Sequence, residues 1–213
     1  MSTTDALVKF TTEIASSLDD KQNVAVQALM LDFSKAFDKM LPHIAIQKLL
    51  ALNTSPSLVR LMMSFFSDRL QRVRYADVYS SYECCKIGVP QGTIMGPLLW
   101  NIFVHDLLPE IPCIKYADDT TVYNAVESSE VRIENSTSHK ASLIFHDNPL
   151  QSAADYAARW CEENSMLLNV TKSQSLTLTL QKNIISDPIK INDMPISQNS
   201  SVKLLRVCFD NHM

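Results

Sequence analysis

The sequence predicts a mixed α/β protein, because three segments carry different apolar patterns. Apolar residues recur with a helical period from Thr3 to Leu18. The run from Val24 to Leu31 is short and continuously apolar, as in a strand buried on both faces. Leucine alternates with serine or threonine from Ser175 to Leu180, which is typical of a half-buried strand. At 213 residues the chain is long enough to bury a core, and one domain is the default expectation.

The remaining elements are predicted from proline positions and apolar spacing. Thr4 or Asp5 is available to cap the first helix. Further helices are expected at about Pro42–Asn53, from Ser55-Pro56 onward, at Pro97–Leu108 and from Asn148-Pro149 to Asn164. The helix after Ser55 is expected to turn five apolar residues inward: Leu58, Val59, Met62, Phe65 and Phe66. Further strands are expected at Leu70–Tyr75, Tyr82–Ile87, Ile189–Ile196 and Val202–Phe209. The segment 127–148 is predicted to be a loop with at most one short element, around Ala141–Phe145.

Composition excludes several classes of protein. A formal net charge of −4 and a pI of about 5.7 argue against a strongly basic nucleic-acid binder, so any contact with DNA or RNA must come from local patches. The five cysteines lack the pattern of a disulfide framework or a zinc site. No apolar run reaches the length of a membrane span, and the polar Met1–Asp5 is unlike a signal peptide. We therefore expect an intracellular protein, in the cytoplasm or nucleus, that is neither secreted nor membrane-bound.

Three places concentrate residues that carry chemistry, and the first is Asp32. It ends the buried run Val24–Leu31, which puts its carboxylate at an edge of the sheet, where α/β proteins tend to keep their ligands. The alternative is that Asp32 caps the structure that follows it. The sequence leaves both interpretations open.

The second place is an acidic hairpin. Cys113–Ala117 and Thr121–Ala125 have the β-branched and aromatic content of strands, with Asp118 and Asp119 at the bend between them. Adjacent acids at a tight turn repel each other unless a cation neutralises them. Mg²⁺ is the natural candidate, because it takes oxygen ligands and is usually held by only one or two protein carboxylates. The alternative is a solvated hairpin without a ligand.

The third place is the loop Gly88–Pro97, which contains Gln91 and all three glycines of the chain. Glycine used so sparingly marks a backbone that must turn or be approached closely. Just before this loop, Arg69, Arg72 and Arg74 supply the densest positive charge in the sequence. Their alternative interpretation is ordinary solvated charge.

These places, with others along the chain, resemble a known family. The first three palm motifs of reverse transcriptases are matched, in order and spacing, by Leu31-Asp-Phe-Ser-Lys-Ala-Phe-Asp38, Gly88-Val-Pro-Gln-Gly92 and Tyr116-Ala-Asp-Asp119. The fourth motif is resembled by Trp160 to Asn164, Asn169 and Lys172-Ser173, and the start of the fifth by Val202-Lys-Leu-Leu205. Within the family, the likeness is greatest to the polymerases of non-LTR (LINE-like) retrotransposons. It covers almost the whole chain.

The resemblance implies an α/β polymerase palm, an antiparallel sheet backed by helices, from an RNA-directed DNA polymerase. Its partners would be an RNA or DNA template with a primer, and deoxynucleoside triphosphates that are joined to the primer 3′-hydroxyl. Two Mg²⁺ ions, for which Mn²⁺ can substitute, would be the cofactors. Asp32 and Asp118 would bridge them, and Asp119 would add charge or secondary coordination. Protein partners are not indicated.

Further roles follow from the matched positions. The backbone carbonyl of Phe33 would face a metal ion, and Phe37 would be the bulky gate against a ribose 2′-hydroxyl, its alternative being a core aromatic. Gln91 would contact the template or the incoming nucleotide, with Gly92 allowing close approach. Tyr116 would lie in the same nucleotide-binding region. Lys172 resembles the lysine proposed to protonate departing pyrophosphate; otherwise it is a surface lysine.

The resemblance also implies extents. The chain 1–213 is expected to be a fragment of a reverse transcriptase domain, with a palm core at about 20–182, a partial fingers or palm helix at 3–18 and the fifth-motif region at about 188–210. Fingers and thumb are expected to be largely missing, so we expect the isolated chain to be inactive. Arg206 stands where relatives usually have glycine, which puts the grip on the primer end in question.

Two rival functions remain. A non-catalytic palm remnant of a decayed retrotransposon would at most bind a partner. An RNA-directed RNA polymerase shares the palm but is disfavoured by Phe37, because RNA synthesis needs room for the 2′-hydroxyl.

Overall fold

The computed structural model describes residues 2–135, 141–145, 148, 150–180 and 184–211. The chain divides into two compact units. The first comprises Met1–Ser34, Leu108–Cys161 and Leu167–Met213; the second comprises Lys35–Leu107 and Glu162–Met166. Within the described residues, no helix is both long and apolar enough to cross a membrane.

The described chain contains these α-helices: α1 Thr3–Asp19, α2 Ala36–Lys39, α3 Pro42–Ala51, α4 Pro56–Phe66, α5 Met95–Phe103 and α6 Gln151–Glu163. Strands of the first half are β1 Asn23–Leu31, β2 Leu70–Gln71, β3 Arg74–Tyr75, β4 Val78–Tyr79, β5 Glu83–Cys84, β6 Cys113–Tyr116 and β7 Asp119–Glu127. Those that follow are β8 Val131–Asn135, β9 Ala141–Phe145, β10 Gln174–Leu178, β11 Ile184–Ser186, β12 Lys190–Ile191, β13 Met194–Pro195, β14 Ser197–Gln198, β15 Ser201–Leu204 and β16 Val207–Asp210.

The first unit is organised around a sheet of five strands in the order β14-β10-β1-β7-β6. All neighbours are antiparallel except β10 and β14. Strand β1 lies at the centre, because its continuous apolar run can be buried on both faces. Helix α1 packs on β1, β6 and β7, and the Phe10 ring meets those of Tyr123 and Phe209 edge to face at 5.9 and 5.2 Å between centroids. The mixed α/β prediction, with an antiparallel sheet backed by helices, is confirmed.

Helix α1 begins with a capping box that the sequence analysis assigned wrongly. The cap is Ser2, not Thr4 or Asp5: the Ser2 hydroxyl accepts from the Asp5 amide, and the Asp5 carboxylate accepts from the Ser2 amide at 2.7 Å. Asp5 occupies the third helical position, where an acid completes such a box and also favours the helix dipole.

The second unit contains α2 to α5 and the paired strands β2–β5 and β3–β4. Ser55 and Pro56 start α4 as predicted, with the Ser55 hydroxyl accepting from the Leu58 amide. Val59 and Met62 are buried and Phe65 and Phe66 half-buried, but the prediction for Leu58 is wrong, since 38% of it is exposed. Helix α5 ends at Phe103, five residues earlier than expected, because the chain then turns and reaches a positive φ of 51° at Leu108.

Two predicted regions fold differently. The segment 127–148 holds two strands, β8 and β9, which form a three-stranded sheet with β11, so the prediction of a loop with at most one short element is wrong. The strands predicted at Ile189–Ile196 and Val202–Phe209 are each split by a turn into short hairpins, β12–β13 and β15–β16. Asn192 and Asp193 form one turn, Leu205 and Arg206 the other, and all four have positive φ.

Candidate active site

Strand register brings Asp32 and Asp119 together. In the antiparallel pair β1–β7, Leu31 is opposite Thr120, so the residue after Leu31 meets the residue before Thr120. Those residues are Asp32 and Asp119. Both line a cavity of about 350 Å³ in the first unit, together with Lys172. Asp32 thus lies where the buried strand ends, as expected from the sequence.

The acidic hairpin turns one residue earlier than predicted. Tyr116 pairs with Asp119, so only Ala117 and Asp118 form the turn, and Asp119 is the first residue of β7. The prediction that both acids lie at the bend is therefore wrong for Asp119. Ala117 has a φ of 51°, a conformation that residues other than glycine adopt rarely. Asp118 is thus carried by a two-residue turn and Asp119 by the strand that follows it, and the pairing of Tyr116 with Asp119 fixes the turn on both sides.

The main chain of Asp32 is held by residues from the fourth-motif segment. The Asp32 amide donates to the Ser173 hydroxyl at 3.2 Å, and the Asn169 amide donates to the Asp32 carbonyl at 2.8 Å. The Ser173 hydroxyl in turn donates to the Asn169 carbonyl at 3.0 Å, and Ser173 is fully buried. This supporting role was missed from the sequence, although a serine directly before an alternating strand could have signalled it.

Burial and like charge both act on the carboxylates. Loss of hydration raises the pKa of Asp32, the Asp118 charge raises it further, and the Lys172 ammonium opposes them. Partial desolvation likewise raises the pKa of Asp119, with the charges of Asp118 and Asp32 adding to it, although much of its side-chain surface is exposed. The three acids therefore repel one another, which a bound cation would relieve.

The donor atoms of this cluster suit a hard cation. Carboxylate oxygens are the ligands that Mg²⁺ prefers, and it keeps several waters when only one or two carboxylates bind it. Within the described residues, no group of three or more His, Cys, Asp or Glu side chains is arranged as a ready-made metal cage. The residues present thus fit an ion that shares its coordination with water and substrate.

Three other predicted residues lie in the same unit. Lys172 is exposed and lines the cavity, and so does a second cation that was not predicted from the sequence, Lys203. Phe33 is buried, with its ring 6.2 Å from that of Trp160, so only its backbone can face a ligand. Tyr116 is half-buried and packs against the core beneath the hairpin.

The remaining predicted residues belong to the second unit. Phe37 is half-buried in α2, with its ring centroid 5.3 Å from that of Trp100. The Gln91 amide donates to the Asp38 carboxylate at 3.0 Å, which holds an exposed side chain in place. Gly92 has a φ of 79°, and no atom lies within 4 Å of where a Cβ would be. The space beside Gly92 is open.

Position 88 requires glycine more strictly than the sequence indicated. A Cβ at this position would lie 2.6 Å from the Asp38 carbonyl oxygen, and the φ is 73°. The Gly88 amide donates to the Met40 carbonyl and the Val89 amide to the Phe37 carbonyl. The main chain of the loop is therefore hydrogen-bonded to the main chain of the α2 segment, which carries Phe37.

Comparison with known proteins agrees with this picture. Residues 3–207 match the family described as reverse transcriptase (RNA-dependent DNA polymerase). The chain is 27% identical over 223 residues to a probable RNA-directed DNA polymerase from transposon BS of Drosophila melanogaster, covering 100% of this chain and 23% of that protein. It is 25% identical to a probable RNA-directed DNA polymerase from transposon X-element of the same species, and the match covers 99% of this chain and 22% of that protein. It is 26% identical to the RNA-directed DNA polymerase from mobile element jockey of Drosophila funebris, and the match covers 86% of this chain and 19% of that protein.

The family match covers most of the chain and includes every predicted site residue, from Asp32 to Lys172. The chain spans less than a quarter of the length of these relatives. The family resemblance inferred from the motifs is confirmed: the chain belongs to the reverse transcriptase (RNA-dependent DNA polymerase) family, and the relatives that it matches come from non-LTR mobile elements.

Proposed function

We propose that this chain carries the catalytic carboxylates of an RNA-directed DNA polymerase that joins deoxynucleotides to a primer by two-metal nucleotidyl transfer. One observation carries the proposal. The register of β1 and β7 brings Asp32 and Asp119 into one cavity with Lys172, and Asp118 acts electrostatically on both acids. Like charges kept together at the end of a buried strand are costly unless they serve a ligand.

Each acid has a proposed role. Asp32 and Asp118 would hold the metal ions, and Asp119 would add charge or secondary coordination. When bound, two Mg²⁺ ions would lower the pKa of the primer 3′-hydroxyl and neutralise the pyrophosphate that leaves. The protein supplies position: Ser173 and Asn169 fix the Asp32 backbone, and the turn at Ala117 fixes that of Asp118.

Other residues act on the substrates. Lys172, whose charge is felt at Asp32, donates a proton to departing pyrophosphate. The carbonyl of Phe33 adds an oxygen ligand, and Tyr116 supports the nucleotide-binding region. Phe37 excludes the ribose 2′-hydroxyl. Gln91 contacts the template or incoming nucleotide beside the open space at Gly92.

The extent of the domain and its partners belong to the same proposal. We assign residues 20–182 to the palm core, 3–18 to a fingers or palm helix and 188–210 to the fifth-motif region of a longer reverse transcriptase. The relatives named above are RNA-directed DNA polymerases more than four times the length of this match. An RNA or DNA template with primer and deoxynucleoside triphosphates are accordingly the proposed substrates.

Titration with Mn²⁺, followed by its electron spin resonance signal, tests the carboxylate assignment. We expect weak binding by the chain and markedly weaker binding by Asp118→Asn, because one of few anionic ligands is lost. Asp119→Asn is expected to weaken binding less. Glu13→Gln on α1, which also removes one negative charge, is the control and should bind as the wild type does. Equal affinity in Asp118→Asn and wild type would refute the role of Asp118.

Primer extension separates the polymerase from the non-catalytic remnant. The assay uses a chimera in which this chain replaces the homologous segment of the longer relative from transposon BS. Templated synthesis is expected when the inserted chain is wild type but not when it carries Asp118→Asn. A folded wild type that binds Mn²⁺ yet never extends a primer would favour the remnant.

A further inference from the structure

A second surface, in the other unit, has the composition of a nucleic-acid contact. Residues Leu70–Cys84, here called the arginine–tyrosine arm, form a hairpin in which β2 pairs with β5 and, further out, β3 pairs with β4. The two ladders are joined by a bond from the Ser80 amide to the Val73 carbonyl at 3.0 Å. Every residue from Gln71 to Cys84 is exposed. The arm has no core of its own, so packing does not explain its aromatic content.

Cations and rings are interleaved on this arm. The Arg72 guanidinium lies 3.9 Å from the Tyr79 ring centroid and 4.8 Å from that of Tyr82, and Arg74 approaches Tyr79 at 5.6 Å. Such stacking holds the guanidinium planes in place while leaving them exposed. Tyr75, at the outer ladder, is 84% exposed. Stacking rings and fixed arginines are the two features that sequence-tolerant binding of single strands requires.

The segment that contains the arm has a net charge opposite in sign to that of the whole chain. Between Asp68 and Lys86 there are four basic and three acidic side chains, in a protein of formal net charge −4. Arg74 reaches Asp77 only at 4.0 Å, and across the residues that the structure describes Arg72 forms no ion pair. The guanidinium of Arg72 is therefore available to an anion.

A cavity of about 540 Å³ continues this surface at the base of the arm. Arg69 and Lys86 line it, and so do Gly88, Val89 and Pro90, which lead directly to Gln91. Arg69 is fixed there, with its guanidinium donating to the Ile87 carbonyl at 3.1 Å and facing the Phe66 ring. Basic groups thus extend within one unit from the arm to the loop that carries the proposed template contact.

We propose that the arginine–tyrosine arm and the cavity at its base bind a single strand of nucleic acid, with a base stacked on Tyr75 and with phosphates neutralised by Arg69, Arg72 and Lys86. Only the identification of this strand as the template rests on the proposed function. The binding itself needs neither the carboxylates nor a metal ion.

Fluorescence anisotropy with a labelled 12-nucleotide RNA of mixed sequence tests the proposal. The titration is done on the full chain in EDTA without nucleotides, so a failed carboxylate assignment leaves it unaffected. Tyr75→Leu is expected to weaken binding at least about fivefold, whereas Tyr75→Phe keeps the ring and the affinity. Because this side chain is exposed, folding is not at stake, and circular dichroism verifies it.

Salt dependence provides the second readout. Arg72→Ala is expected to make the negative slope of log affinity against log salt concentration shallower by about 0.7, the value for one phosphate of a single strand. Arg72→Lys is expected to keep the slope. Arg60→Ala on α4, another exposed arginine of the same unit, is the matched control and should change neither slope nor affinity.

Three outcomes would overturn the proposal. They are no binding by the wild type at low salt, equal loss in Arg60→Ala and Arg72→Ala, and equal binding by Tyr75→Leu and Tyr75→Phe. Effective competition by polyglutamate, with the tyrosine variants unaffected, would assign the arm to acidic protein partners instead.

Discussion

The two units of this protein treat their charged and constrained groups in opposite ways. In the second unit the buried Lys48 ammonium donates to the Phe103 carbonyl at 2.7 Å and to the Asp106 carboxylate at 2.6 Å. In the first unit Asp32, Asp118 and Asp119 are kept near one another, and their mutual repulsion is only partly opposed by Lys172. The charge of Lys48 is compensated by its own surroundings, whereas the acidic cluster of the first unit maintains an electrostatic conflict. Such a conflict identifies where the fold serves a ligand rather than its own stability.

This comparison predicts the sign of substitutions. Changes that remove a satisfied contact in the second unit should cost stability. Changes that remove a charge from the acidic cluster should add to it.

The largest effect is expected for Gly88→Ala. The new methyl group combines a left-handed backbone, costing about 1–2 kcal/mol, with overpacking against the Asp38 carbonyl, costing about 1–3 kcal/mol. Gly92→Ala is the matched control, because its φ is similar but the space around it is open. It should lose only about 1–2 kcal/mol. Urea unfolding followed by circular dichroism measures the stability of both variants. Equal losses of stability would contradict the close contact between Gly88 and the Asp38 carbonyl.

An intermediate effect is expected for Lys48→Met. The variant keeps the apolar stem but leaves the Phe103 carbonyl and the Asp106 carboxylate without their shared donor, which should cost about 1–3 kcal/mol. Lys9→Met serves as the control, since its pair with Glu13 is exposed and 3.8 Å long. That loss should stay within about 0.5 kcal/mol. If the two variants unfold at the same urea concentration, the internal compensation in the second unit is not a source of stability.

The smallest effect, with the opposite sign, is expected for Asp119→Asn. Because the folded-state pKa of Asp119 is raised above its unfolded value, the folded protein holds the proton more tightly, and stability falls as pH rises through that folded pKa. The variant should therefore melt above the wild type at neutral pH, and the difference should shrink as the pH falls toward 4.

Asp5→Asn provides the control for this pH dependence. Hydrogen bonds from Ser2 lower the pKa of Asp5, so its stabilising contribution is present above the usual aspartate pKa of 3.8 and is lost only as the pH falls below that value. Between pH 4 and 7.5 this contribution should therefore change little. The variant should melt below the wild type at neutral pH. Thermal unfolding between pH 4 and 7.5 compares the two, and a shift of the same sign in both variants would argue against repulsion within the acidic cluster.

Much of the fold and site could be predicted because the deciding signals are local. The apolar run before Asp32 identified the central strand, and the Ser55-Pro56 pair identified the start of α4. The turn at Ala117 and Asp118 could not be predicted, since alanine at positive φ carries no sequence signal. The register that sets Asp119 beside Asp32 depends on a pairing between segments almost ninety residues apart.

Turns at residues other than glycine explain a further error. The hairpin of β15 and β16 turns at Leu205 and Arg206, where φ is 47° and 73°. The family resemblance implies a glycine at position 206, and the positive φ of Arg206 supplies the physical reason for that preference. Strand β8 was missed because charged and polar residues interrupt its apolar pattern. Strand β11 was missed because it pairs with β9, about forty residues earlier in the sequence.

The pairing of Leu31 with Thr120 also limits how this gene can drift. Successive residues of a strand face opposite sides of the sheet, so losing or gaining one codon between Thr120 and Tyr123 would shift the register by one residue and reverse the faces. Substitutions there could preserve the acidic pair, but a change of length by one could not. Single-codon insertions and deletions in descendants of this element should therefore accumulate outside that short segment for as long as the carboxylates are under selection.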